Sequence, residues 1–151
     1  MRPTHAGFFH VTARSINEEH IFRETRDYQA GVRLIAELAT ARFFDCHGFC
    51  LMPTHYHLLA WFREDMLSNG VHRLNRRYAT GFNRRHSRRG HVFDSPFRSV
   101  EITTEQHAFR LPNYIAENPP YRPWPWSSFD AHFSFVQPVP WLETLEPGSS
   151  D

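Results

Sequence analysis

Lysine is absent from this chain of 151 residues; all 17 basic side chains are arginine. Positive charge is therefore carried only by planar guanidinium groups, which suit bidentate phosphate contacts and stacking on bases, although a GC-rich genome produces the same habit. Cysteine is scarce. Cys46 and Cys50 are the only two, and on one strand they would lie roughly 13 Å apart, too far to bridge. No second cysteine pair exists to complete a structural zinc site with them. The reading is two free core thiols in a reducing compartment. The first residues carry no apolar signal region and no run approaches a membrane span, so a cytoplasmic protein with no membrane partner is expected. There is no internal repeat. Net charge is only +1, which by itself suggests no partner, and 40% hydrophobic content argues against disorder.

Charge is concentrated where it is present. Eight arginines fall between Arg73 and Arg98, with Asp94 the only acid among them. That stretch faces polyanions. The length allows one domain with a real core. Gly7 to Arg14 alternates apolar and polar residues and reads as a first strand. Ser15 to Arg26 reads as a loop. Asp27 is placed to cap a helix in which Tyr28, Val32, Ile35, Ala39 and Phe43 recur at helical spacing. Phe44 to Met52 is a second strand, Pro53-Thr54 a tight turn, and His55 to Arg63 a third strand. Asn69 is placed to cap a second helix with Val71, Leu74, Tyr78 and Phe82 on its inner stripe, ended by Ser87 to Gly90. Phe97 to Thr103 is a fourth strand, and Thr104 to Asn118 a third helix stopped by Pro119-Pro120. The expected fold is α+β: a ferredoxin-like βαββαβ antiparallel sheet with an added C-terminal helix and an irregular tail. One domain spans 1–126, and 127–151 is a tail that packs on it or frays. Strands one and three are central.

Met52-Pro53-Thr54-His55-Tyr56-His57-Leu58-Leu59 carries the strongest chemical signal. Strand side chains repeat with period two, so His55 and His57 share a face, which Leu59 and Trp61 continue. The bland alternative is two satisfied strand histidines. His10 on the first strand reads as a structural hydrogen-bonding residue.

CLMPTHYHLLAWF resembles the His-hydrophobe-His strand of single-tyrosine (HUH) transposases. NRRYATGFNRRHSRRGHVFDSPFRS resembles the basic helix and loop that follow it in the REP-associated tyrosine transposases. HVTAR resembles that subgroup's first strand and YIAENP its catalytic helix, so the resemblance runs in order from about His10 to Trp126. It implies that His55 and His57 bind a metal, that Tyr114 is the nucleophile, and that Asn118 supplies a third ligand. Tyr114 and Asn118 are spaced i, i+4 and share one helix face. Mg²⁺ or Mn²⁺ suits two imidazoles, an amide oxygen and waters. Arg73, Arg76, Arg77, Arg84, Arg85, Arg88, Arg89, His91 and Arg98 are the expected DNA contacts, and Tyr121, Trp124 and Trp126 are candidates to stack on unpaired bases.

The implied function is metal-dependent cleavage and strand transfer on single-stranded DNA near hairpins, through a covalent 5′-phosphotyrosine. Two departures from the family pattern motivate an alternative, a catalytically inactive module of the same fold that binds DNA hairpins. Pro112 precedes Tyr114 by two residues, and Asp94-Ser95-Pro96-Phe97-Arg98 lacks an expected glycine and an extra basic residue. Tyr78, in a helix near basic residues, is the rival nucleophile, although its position on the apolar stripe suits the core. An RNA-binding sheet is a third reading, which lacks the usual Gly-aromatic motif. A monomer acting in cis is favoured over a homodimer that exchanges the tyrosine helix.

Overall fold

A computed structural model describes residues 2–104, 119 and 124–128. The expected third helix, with Pro112, Tyr114 and Asn118, and also Tyr121, lie outside the described residues. Strand β1 (Gly7–Arg14) leads through a short 3-10 turn to helix α1 (Thr25–Thr40). Strands β2 (Asp45–Met52) and β3 (His55–Phe62), helix α2 (Met66–Arg85) and strand β4 (Arg98–Glu101) follow. The sheet order is β2-β3-β1-β4, and all three pairings are antiparallel. This is the ferredoxin-like arrangement, with β1 and β3 in the centre. No helix among the described residues is long and apolar enough to cross a membrane.

The period-two pattern of β1 sets the layers. Phe9, Val11 and Ala13 are fully buried, whereas Phe8, His10 and Thr12 are partly exposed and Arg14 is exposed. The first set faces the helices. From β3, Tyr56, Leu58, Ala60 and Phe62 point the same way. The Tyr56 hydroxyl donates to the Asn75 side chain on α2. Leu67, Val71, Leu74, Tyr78 and Phe82 of α2 and Ala30, Leu34, Ile35 and Leu38 of α1 complete this core. Gly31 lets α1 approach the sheet: a Cβ there would stand 2.9 Å from both Leu51 Cδ1 and Phe22 Cε1.

Both helices begin earlier than their capping signals suggest. Asp27 is not the cap of α1 but its third residue, buried, with its carboxylate turned back to the Arg23 N–H (3.0 Å) and the Glu24 N–H (3.4 Å). Asn69 lies inside α2, which starts at Met66 after Asp65 takes a left-handed conformation (φ 64°). The fully buried Leu67 extends the apolar stripe one turn backwards and draws the helix start with it. Strand β4 is shorter than the apolar run suggested.

Cys46 and Cys50 are buried thiols not joined in a disulfide, and burial pushes the Cys46 thiol up to about 12. Residues 124–128 close the outer edge of β2. Leu51 N–H donates to Trp126 O (2.9 Å), Ser128 N–H to Phe49 O (2.9 Å), and the Trp124 indole to Leu51 O (2.7 Å). Trp124 is therefore buried and Trp126 stacks on Tyr28 at 5.2 Å. The base-stacking reading of Trp124 is overturned: its ring belongs to packing.

Candidate metal centre and nucleic-acid interface

The sheet face opposite the helices gathers the titratable groups. Strand register arranges them in rows. Cys50, His57, Thr12 and Arg98 lie side by side across four strands; Met52, His55 and Arg14 form the next row. The two-residue turn at Pro53-Thr54 places His55 at the very start of β3. His55 and His57 thus stand on a central strand fixed by neighbours on both sides. Their ring centroids are 5.1 Å apart and their planes nearly perpendicular.

Both rings are poised to act as neutral ligands. Burial, reinforced by the Arg14 charge, pulls His55 from its ordinary value down to about 4. Burial, then the neighbouring His10, His55 and Arg14, pulls His57 down to about 3. At neutral pH each imidazole keeps a lone pair, as metal binding requires. One nitrogen on each is already engaged. His55 Nδ1 lies 3.2 Å from Thr54 Oγ1, and His57 Nδ1 lies 2.9 Å from His10 Nε2. His57 Nε2 is buried and has no hydrogen-bond partner among the described residues. A buried ring nitrogen without a partner costs about 1–3 kcal/mol unless something occupies it. The donor set fits a divalent ion.

The arginines divide by partner. Arg85 Nε donates to Asp27 Oδ1 at 2.8 Å, and His86 Nε2 lies 2.9 Å from Asp27 Oδ2. Burial alone would raise the Asp27 carboxyl, yet the Arg23 N–H, Arg85 and His86 hold it below the ordinary range. Arg88 forms a two-pronged pair with Glu19 at 2.7 and 2.6 Å, and also donates to His91 O at 2.8 Å. These two expected DNA contacts hold the fold together. Arg77 pairs with Glu37 at 2.8 Å on an exposed surface, and Arg73 lies over the Phe43 ring at 4.7 Å. Arg76, Arg84, Arg89 and Arg98 are exposed and form no ion pair among the described residues. His91 is also exposed.

A groove of about 610 Å³ runs between α1 and α2. Arg33, Arg73, Arg76, Arg77, Arg84 and Arg85 line it, with Glu37 the single carboxylate among the lining residues. Arg85 Nη2 is buried and unpartnered among the described residues. This cationic groove lies on the helix layer, on the far side of the sheet from the histidines. Of the expected DNA contacts, Arg98 stands on the histidine face.

Sequence reasoning passed over two residues that the register brings to the site. Arg14, directly across from His55, is exposed and forms no ion pair among the described residues. Thr12 lies across from His57, with Oγ1 3.4 Å from His57 Nδ1. The alternation in HVTAR was the available signal, since His10, Thr12 and Arg14 share one face. Tyr78 is removed from the list of nucleophiles. It is 2% exposed, its hydroxyl donates to Ile21 O, and burial with the nearby Asp27 charge raises its phenol above the ordinary value.

No protein-family model and no curated protein matches the chain. Among solved structures, a REP-associated tyrosine transposase bound to a REP hairpin has a similar fold, with a TM-score of 0.68 and 18% identity. The likeness covers 97% of this chain and 90% of that one.

Proposed function

We propose that this chain is a metal-dependent, single-stranded DNA nicking and strand-transfer enzyme that works beside DNA hairpins. The observation that carries the reading is the pair of neutral, strand-mounted imidazoles, one with a buried unpartnered nitrogen. The fold shared with a hairpin-bound tyrosine transposase supports it.

His55, His57 and Asn118 would hold Mg²⁺ or Mn²⁺, which supplies Lewis acidity at the scissile phosphate. Arg14 and Arg98 present positive charge on the same face and offset the charge that builds on the phosphate oxygens. Tyr114 is the nucleophile. Its phenol oxygen bonds to phosphorus and the 3′-oxygen leaves; the phenol proton passes to a base and the leaving oxygen takes up a proton. The product is a 5′-phosphotyrosine and a free 3′-hydroxyl. The adduct conserves the bond energy, so a second 3′-hydroxyl can reverse the step without ATP. The groove arginines would grip the hairpin backbone, and one chain carries the full set of groups, which favours a monomer acting in cis over a homodimer that exchanges the tyrosine helix.

Incubating the protein with a hairpin-bearing oligonucleotide and Mn²⁺ should trap a denaturant-resistant protein–DNA adduct. An adduct that still forms with Tyr114→Phe would overturn the nucleophile assignment. The second reading, an inactive hairpin-binding module, draws on the separation of the arginine groove from the histidine face, which lets binding survive loss of cleavage. Tight hairpin binding with no nicking under any divalent ion would favour it.

A further inference from the structure

We infer that His10 is a positioning residue for the metal centre, aiming His57 through a ring-to-ring hydrogen bond. The inference rests on the metal-site reading of His55 and His57. His10 sits on β1, diagonally across from His57 on β3. Its Nε2 lies 2.9 Å from His57 Nδ1, and the two rings stack at 5.1 Å with an interplanar angle of 27°. Thr12 Oγ1 stands 3.4 Å from His57 Nδ1 and 3.5 Å from His10 Nε2, at the outer limit of hydrogen bonding, and closes the other side of the contact. The spacing of the two rings is set by a continuous antiparallel ladder from Gly7↔Phe62 to Arg14↔His55 and not by a loop.

An imidazole that binds a metal through one nitrogen carries its proton on the other. A bond that fixes this proton fixes both the tautomer and the direction of the lone pair. With a metal on Nε2, the buried and unpartnered atom of His57, Nδ1 would carry the proton and donate it to His10 Nε2. His10 then accepts at Nε2 and carries its own proton on Nδ1. His10 does not itself hold the ion: the nitrogen it turns to the site is occupied by His57. A purely packing role predicts that losing His10 lowers stability and leaves metal affinity alone. A positioning role predicts loss of affinity in a protein that still folds.

The test measures Mn²⁺ binding by electron paramagnetic resonance on the full chain without DNA, alongside thermal unfolding of the metal-free protein. His10→Ala should weaken Mn²⁺ binding about 10–100-fold, the range seen when such supporting partners are removed. His10→Gln, whose amide can still accept from His57, should recover much of that loss. His55→Ala is the control for the site itself. If the wild-type protein binds no Mn²⁺, or His55→Ala binds as well as wild type, the metal-site reading fails. If His55→Ala abolishes binding while folded His10→Ala binds as wild type does, the site stands and the positioning role is overturned. Should His10→Ala not fold, nitrogen NMR of the Mg²⁺-loaded wild-type protein decides the matter. His57 protonated on Nδ1 supports the inference, and His57 protonated on Nε2 overturns it.

Discussion

His57 shows how a single position acquires chemistry from its surroundings. In an unfolded chain it and His55 titrate near 6.5. Folded, they are held down to about 3 and about 4, by burial first and by neighbouring positive groups second. Between those values the unfolded chain takes up protons that the folded chain does not, so stability must fall as pH drops from about 6.5 toward 4. Urea unfolding at pH 7.5 and pH 5 should show this loss, and His57→Phe should shrink the difference between the two. Equal stability at the two pH values would show that these rings are not held neutral. The same burial excludes Tyr78 from nucleophilic work. The two motif histidines are legible in the sequence itself, because period two on a strand is a strong rule. Arg14 and Thr12 are visible there only as members of an alternating strand, since their place beside the histidines depends on a pairing partner more than 40 residues away.

Helices α1 and α2 are joined at their ends by the Asp27–Arg85–His86 cluster. The Asp27 carboxylate is buried and accepts from the Arg23 N–H, Arg85 and His86. Its lowered pKa means that its contribution is present at neutral pH and lost only as pH falls through that lowered value, below the ordinary carboxylate range near 4. Asp27→Asn should destabilise the fold by about 3 kcal/mol, because it leaves Arg85 part-buried without its counter-charge. Chemical denaturation measures this. Gly31→Ala should cost about 1–3 kcal/mol, since the new methyl meets Leu51 and Phe22 at 2.9 Å. The existence and order of these elements are readable from their periods. Their first residues are not, because capping signals are local. Asp27 looks like a helix start but is used by α2, 58 positions away. Leu67, just ahead of the expected cap at Asn69, decides the start of α2 by burial alone.

At the scale of the whole molecule, the arginine groove and the histidine pair lie on opposite faces of the sheet. Affinity for a DNA hairpin should fall steeply with salt, with a slope set by the number of phosphates neutralised. Arg76→Ala and Arg84→Ala should each lower that slope by about one and leave stability near wild type. Arg88→Ala should instead lower the unfolding temperature, because its guanidinium is committed to Glu19. Titrations at several salt concentrations with melting curves separate the two classes. The sequence displays the arginine run plainly, yet not its division of labour. Whether an arginine faces solvent or a carboxylate is decided by Glu19, Asp27 and Glu37, all of which arrive from earlier in the chain.

This separation has a consequence for any ligand that touches both layers. The arginine groove and the imidazoles lie on opposite faces of the sheet, so a strand that touches both must pass around the sheet. It must cover the depth of a helix stacked on a sheet, roughly 20 Å. On the proposed function, several unpaired nucleotides would separate a stem seated in the groove from the bond to be cut. Shortening that tether one nucleotide at a time would find a length below which the two faces no longer share one molecule.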